Sequence, residues 1–495
     1  MATINPYGKE IITVTTDFEG RPLTLEVNRV GFRTSGSVLV RYGDTVVLGS
    51  VQVGSRPVVL DYFPLSIDYE EKMYAAGKIS GSRFVKREGR PSDEAVLIGR
   101  IIDRPIRPLF PKGYRQEVQV VASVLSMDPS FRPDMIGMIA ASAALMLTGT
   151  PFDGPVAGLR IGRVNGEFKA FLSPEEREAS DLDLVVAGIE GGITMVEAGA
   201  NEVPEEVIAD ALAWAYEHYQ PAIKLQQELV AKVGPVAREY TLILPDEDLQ
   251  KTVDTWVAGK LGEAVRKPYP ERNEMVNQLR WDFHEAMVAQ FGADEYASSK
   301  GKYDEAFTMA VHHDVRNGIV NDQVRPDGRK FDEIRPLSSE VGVLPRTHGS
   351  AIFTRGMTQG LNIVTLAPLS YAQMVDTMEI SDGERRYMHH YNAPGYTVGE
   401  VQRLGGPGRR EIGHGYLAER AVLPVLPKEE DFPYAIRSVT EIMSQNGSTS
   451  MAATCSSILA LMDAGVPITA PVSGIAMGLI VDGKNSYILS DIADA

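Results

Sequence analysis

An α+β fold made of two copies of one domain, joined by an all-helical segment, is predicted by three features of the 495-residue chain. One stretch of sequence recurs at a nearly fixed offset. Within each recurrence, short β-branched runs outnumber helical patterns. Between the recurrences the composition changes to charged helical sequence. A chain of this length exceeds one hydrophobic core, so division into domains is expected in any case.

The repeat is carried by Ala144-Leu-Met-Leu-Thr-Gly-Thr-Pro-Phe-Asp-Gly-Pro-Val-Ala-Gly-Leu159, which returns as Ala460-Leu-Met-Asp-Ala-Gly-Val-Pro-Ile-Thr-Ala-Pro-Val-Ser-Gly-Ile475, an offset of 316 (460 minus 144). The same offset aligns Pro108-Leu-Phe-Pro-Lys112 with Pro424-Val-Leu-Pro-Lys428, and Arg104 with Arg420. Earlier in each copy, Gly36-Ser37, Gly43 and Thr45 match Gly349-Ser350, Gly356 and Thr358 at an offset of 313. Matches in one order, with a three-residue change of offset, mark a duplicated domain.

Taken along the chain, Ile11–Thr15, Val38–Val40 and Val118–Ala122 predict strands, being β-branched and bounded by turn residues. Ile136–Leu147 and Thr449–Met462 predict apolar, small-residue helices ending near glycines that can take the left-handed cap. A long helix is expected from about Pro204 to Val233. From Asp246 to Asn321 helical segments follow, with breaks expected at Pro268-Tyr-Pro270 and near Ser298-Ser-Lys-Gly301. Trp256 and Trp281 there read as core residues. The turn-rich Val324-Arg-Pro-Asp-Gly-Arg329 opens the second copy. The expected domains are residues 1–240, 241–323 and 324–495.

Composition excludes several classes. No run of eighteen apolar residues is present, so no membrane-spanning helix is expected. The N-terminal residues lack the basic start and apolar stretch of a secretory signal. The single cysteine, Cys455, excludes an internal disulfide framework and a Cys-based zinc site. A cytoplasmic location is the expectation. The net charge of −17 argues against a polyanionic partner over the whole surface. Between Arg83 and Lys112, however, eight basic residues face four acidic ones, an excess of four (8 − 4). Any nucleic-acid contact is expected at that patch, although a solvated, salt-bridged surface has the same composition.

Differences between the copies locate the chemistry. Arg409, Arg410 and His414 of Gly408-Arg-Arg-Glu-Ile-Gly-His-Gly415 replace Asp93, Glu94 and Ile98 of the first copy. Asn446-Gly-Ser-Thr-Ser450 replaces Ser130-Phe-Arg-Pro-Asp134. An Asn-Gly-Ser-Thr-Ser run ahead of an apolar helix directs backbone N–H groups and hydroxyls to the helix N-terminus, where an oxyanion is bound by unpaired donors and the dipole. Arginine adds a planar fork for phosphate. Each feature has a plainer reading: an ordinary N-cap, two surface charges and a structural histidine. That both sets are missing together from the first copy favours the oxyanion.

These motifs, with Phe353-Thr-Arg-Gly-Met-Thr-Gln359 and Ile101-Ile-Asp-Arg-Pro-Ile-Arg-Pro-Leu-Phe110, resemble the bacterial polynucleotide phosphorylases over essentially the whole chain. The resemblance implies two ribonuclease PH-like domains (the ribosomal protein S5 domain 2-like fold) joined by a helical domain, in a homotrimeric ring threaded by single-stranded RNA. It implies phosphate binding by Ser448, Thr449 and Ser450, and catalytic contacts to substrate or phosphate by Arg409, Arg410 and His414. It places Phe84, Lys86 and Arg87 in a constriction loop around RNA, with Arg100 and Arg104 nearby. Phe84 would stack on a base while the cations neutralise phosphates.

The reaction implied is 3′-to-5′ phosphorolysis of RNA by inorganic phosphate, reversible, releasing nucleoside diphosphates, with a role in mRNA turnover and possible partners in an RNA-degradation complex. Mg²⁺ is the implied cofactor. Its carboxylate ligands and a catalytic lysine are expected just after Ala495 and not within the chain, with KH and OB-fold domains beyond; Asp491 and Asp494 do not match those ligands. Met357 departs from the family, which more often carries glutamate there. Two alternatives stand beside this reading. A single-copy, tRNA-trimming ribonuclease PH is disfavoured by the duplication. A catalytically silent RNA-binding ring is the reading of another class.

Overall fold

The computed structural model describes residues 3–58, 60, 62–79, 86–268 and 270–493. The chain divides into two compact units, one of residues 1–242, 369–386 and 407–413, the other of 243–368, 387–406 and 414–495. The helical segment therefore groups with the second copy, and two pieces of the second copy group with the first.

The first unit is built on a six-stranded sheet with spatial order Ile12–Phe18, Arg21–Val27, Gly36–Tyr42, Thr45–Pro57, Gln116–Ser126, Leu65–Glu70. All neighbours are antiparallel except the last pair, in which Leu65–Glu70 runs parallel to Gln116–Ser126. Alternate residues Val38, Val40 and Tyr42 point into the core, the period-two signature of a half-buried strand. A second sheet orders Gly192–Ala200, Leu182–Ile189, Ala157–Val164 and Glu167–Ala170. The helix Asp134–Met146 and the long helix Glu205–Val233 complete one continuous apolar core.

The second unit repeats the first sheet without its edge strand: Leu337–Val341, Gly349–Arg355, Thr358–Pro368, Tyr434–Ser444, Tyr387–Asn392, again with only the last pair parallel. Here the helix is Thr449–Asp463. The matching glycines explain part of the repeat. A Cβ on Gly36 would lie 2.3 Å from the Ala144 carbonyl oxygen, and one on Gly349 would lie 2.2 Å from that of Ala460. In both copies the strand needs glycine so that the small-residue helix can seat against it. The hairpin Met477–Asp482 with Asn485–Ser490 follows.

The helical segment has its own core, in which Val253, Phe283, Met287 and Phe307 are buried. Its helices are Glu247–Val257, Leu261–Val265, Glu271–Phe291 and Ala293–Asn317. The break expected at Pro268–Pro270 is present, but the one expected near Ser298–Gly301 is not. The chain breaks instead at Gly292, whose φ of 87° ends one helix and starts the next, while Gly301 sits within a helix at a small propensity cost. Trp256 packs edge-on to Phe283, as expected of a core residue. Trp281 does not: it is 62% exposed and donates its indole N–H to Glu285. It precedes Phe283 by two positions, which on a helix puts it about 200° away from the buried face.

Candidate phosphate site at the start of the second-copy helix

The segment Asn446–Ser450 is fixed by residues distant in sequence. The Thr358 hydroxyl donates to the Gly447 carbonyl oxygen (2.7 Å) and accepts from the Asn446 N–H (3.1 Å). Arg335 donates to the Asn446 carbonyl oxygen at 2.6 Å. Gly447 and Ser448 both have positive φ, 77° and 65°, so the chain turns sharply into the helix Thr449–Asp463.

The ordinary N-cap reading is overturned here. Ser448 holds the cap position, yet its side chain caps nothing and donates to the Ile492 carbonyl oxygen at 3.1 Å. The first N–H groups of a fifteen-residue helix are thus left without a side-chain acceptor, at the positive end of its dipole. The Thr449 hydroxyl accepts from the Tyr391 phenol (2.8 Å) and lies 3.4 Å from His414 Nδ1. The Tyr391 and His414 rings meet edge to face at 5.1 Å. His414 stands on the helix Arg409–Val422. Ser448, Thr449, Ser450 and His414 are therefore brought together.

The first copy is the informative contrast. There the equivalent helix Asp134–Met146 carries a carboxylate at its start. Asp134, the counterpart of Ser450, accepts from the Met135 N–H at 2.8 Å and from Arg160 at 2.7 Å, and is buried. The first copy thus supplies its own anion where the second supplies a hydroxyl.

Beneath the segment lies a buried ion-pair cluster that sequence reasoning missed. Asp491 is fully buried and receives Arg335 through Nη2 and Nε, both at 2.8 Å, the Arg335 backbone N–H at 3.0 Å, and Arg329 at 3.1 Å. Burial by itself would raise its pKa, but the Arg335 hydrogen bonds and the charges of Arg335 and Arg355 hold the carboxyl below its usual range. The repeat offers one signal. Thr358 matches Thr45, and Thr45 plays a similar part in the first copy by accepting from the Asp128 N–H at 3.0 Å.

Arg409 and Arg410 open the helix that carries His414 but group with the first unit. Arg409 donates to the Ile67 carbonyl oxygen (2.6 Å) and pairs with Asp68. Arg104 pairs with Glu197. Arg100 has no ion pair among the described residues, and burial, followed by the nearby Arg104 charge, pushes its guanidinium pKa down. Lys86 and Arg87 are exposed, and Phe84 lies outside the described residues. Met357 is exposed at the turn between the strands Gly349–Arg355 and Thr358–Pro368.

The described residues do not fit a divalent cation. Among the described residues no group of three His, Cys, Asp or Glu side chains converges. Asp491 is engaged by arginines, and the hydrogen-bond donors left unpartnered close to it, Nε and Nη1 of Arg355, repel a cation. Among the described residues no helix is long and apolar enough to cross a membrane.

Comparison with known proteins identifies the family. The pattern of the 3′ exoribonuclease family, domain 1, matches twice, at residues 19–151 and 333–467, and that of domain 2 matches residues 154–218. A polyribonucleotide nucleotidyltransferase of Heliobacterium modesticaldum is 50% identical over 96% of the chain and 66% of its own length. Those of Anoxybacillus flavithermus and Bacillus subtilis are 50% and 46% identical, over 96% and 98% of the chain and 67% and 68% of their own lengths. The chain thus spans about two thirds of the length of these relatives.

Proposed function

Since the chain belongs to the 3′ exoribonuclease family and, within it, to the polyribonucleotide nucleotidyltransferases, we propose that it forms the core of an enzyme that shortens single-stranded RNA from its 3′ end with inorganic phosphate. A phosphate oxygen attacks the phosphorus of the terminal nucleotide. The bond from that phosphorus to the preceding 3′ oxygen breaks. The nucleotide leaves as its diphosphate, and the shortened strand ends in a hydroxyl that takes up a proton. The transfer is reversible. Positioning and charge stabilisation of the in-line transfer do most of the work.

In this reading the phosphate sits at the start of the helix Thr449–Asp463. The observation that carries it is the replacement of the buried carboxylate of Asp134 by Ser450, together with a Ser448 side chain that caps nothing. Because the Ser448 hydroxyl is engaged by Ile492, its contribution is through the backbone N–H. The Ser450 hydroxyl, for which no partner is found among the described residues, is the better side-chain donor. His414 and Thr449 line the same place, and Arg409 and Arg410 contact substrate or phosphate. Arg100, Arg104, Lys86 and Arg87 contact the RNA backbone. A homotrimer, a cytoplasmic location and partners in an RNA-degradation complex belong to the same proposal. The silent-ring alternative is weaker, because the relatives carry a transferase name.

The test is Ser450→Asp, which gives the second copy the built-in anion of the first. Calorimetric titration with inorganic phosphate should show at least a tenfold loss of affinity, since a carboxylate then competes for donors worth about 1.5–3 kcal/mol each. Unchanged phosphate affinity would remove the site from this helix.

A further inference from the structure

A second place on the first unit has the chemistry of a nucleotide site, and none of the residues that line it is among those assigned above. The segment Asn5–Lys9 and the loop Val30–Ser35 wall a cavity of about 530 Å³, within the range that holds small ligands. Two aromatic rings stand in its wall, Tyr7 at 72% and Phe32 at 48% exposure, meeting edge to face with centroids 4.9 Å apart. Lys9 and Arg33 also line it, and both side chains are exposed without an ion pair among the described residues. No acidic side chain lines it among those residues. In a chain of net charge −17 such a patch is the exception.

The walls are built. Buried Asn5 accepts from the backbone N–H groups of Tyr7 (2.9 Å) and Lys9 (3.0 Å) and donates to the Asn28 carbonyl oxygen (3.0 Å). On the other side Thr34 donates to the Gly31 carbonyl oxygen (2.7 Å) and Ser37 to that of Val30 (2.9 Å). The aromatic and cationic side chains are thus carried on pinned backbone. The copies differ here too. At the 313 offset, Arg33 and Thr34 recur as Arg346 and Thr347, but Phe32 is replaced by Pro345. The cation is common to both copies, whereas the ring belongs to the first.

Exposed rings beside unpaired cations, with no carboxylate, suit a base and its phosphate: the ring stacks on the base and the cations take the phosphate charge. We propose that this cavity binds a nucleoside-phosphate unit, with the base on Phe32 and Tyr7 and the phosphate on Lys9 and Arg33. The unit comes either from a single strand or from a free nucleotide. The proposal does not depend on phosphorolysis, and its readout is location of binding rather than turnover.

The experiment is photocrosslinking of the 495-residue chain, in separate arms, to a short RNA carrying 5-iodouracil and to 8-azido-ADP, followed by peptide mapping. A crosslink to the peptides bearing Tyr7 or Phe32 is expected in at least one arm, and the arm that gives it identifies the source. It should fall roughly 5- to 150-fold in Phe32→Ala, return in Phe32→Trp, and fall in Arg33→Gln, with melting temperatures unchanged. No crosslink there in either arm, a yield indifferent to Phe32→Ala and Arg33→Gln, or a loss that Phe32→Trp fails to restore would each overturn the assignment.

Discussion

The Tyr391 phenol donates a 2.8 Å hydrogen bond to the Thr449 hydroxyl, joining the parallel edge strand Tyr387–Asn392 to the first residue of the helix at the candidate phosphate site. Both residues are buried. Because Thr449 accepts this bond, its single hydroxyl hydrogen points away from the phenol. Removing it with Tyr391→Phe leaves the ring packing against His414 in place. A loss of about 1 kcal/mol in stability is expected, with a several-fold weaker phosphate affinity by calorimetry. Full phosphate affinity in the variant would show that Thr449 needs no such orientation.

Asp491→Asn tests the cluster under the Asn446–Ser450 segment. It leaves the buried Arg335 without its counter-charge, while Arg329 keeps Asp327, and breaking a buried pair costs about 3–5 kcal/mol. The pH dependence has a defined sign. Because the folded carboxyl titrates below its unfolded value of about 3.9, its stabilisation is full above that pH and is lost as pH falls through the folded value. Urea denaturation should therefore show the wild type losing stability below about pH 4, with that loss reduced in Asp491→Asn. Equal acid limbs would place the titration elsewhere.

Gly349→Ala probes the seat of the second-copy helix. The new Cβ would lie 2.2 Å from the Ala460 carbonyl oxygen and 2.6 Å from the Ala464 nitrogen, backbone atoms that cannot swing aside. Overpacking of this kind costs about 1–3 kcal/mol. A thermal melt of Gly349→Ala should fall below that of Gly465→Ala, where a Cβ meets nothing within 4 Å and only the positive φ is strained. The reverse ranking would mean that the helix shifts freely on its sheet.

Lys86 and Arg87, exposed in the basic segment, are expected to contact RNA phosphates without regard to sequence. Changing both to alanine should weaken single-strand binding and reduce the slope of log affinity against log salt by about 0.7 for each phosphate no longer neutralised. A weaker affinity with an unchanged slope would assign them to packing or folding.

The candidate site is legible in part. Asn446–Ser450 is visible because a helix start is a local pattern and because the first copy supplies a contrast within the same chain. Arg335, Thr358, Tyr391 and Asp491 are not. Each acts across 58 to 156 positions of sequence, on the Asn446–Ser450 segment or on one another, and no local spacing records such a partnership. Thr358 stands out as a repeat match, a signal of shared structure that leaves its role unstated.

The sequence by itself determined the duplication, the α+β class and the sheet-covering helices, since these rest on periodicity, composition and recurrence along the chain, and its motifs carried the resemblance to the family. Only the tertiary structure decided which donors are engaged. Ser448 and Ser450 are two positions apart and chemically identical, yet one hydroxyl is committed to Ile492 and the other has no partner among the described residues. Trp281 and Trp256 both read as core, and the direction of one helix face exposed the first and packed the second. The physical reason is the same in each case. Backbone periodicity is short-ranged, whereas the pairing of a polar group depends on whatever the folded chain brings within about 3 Å of it.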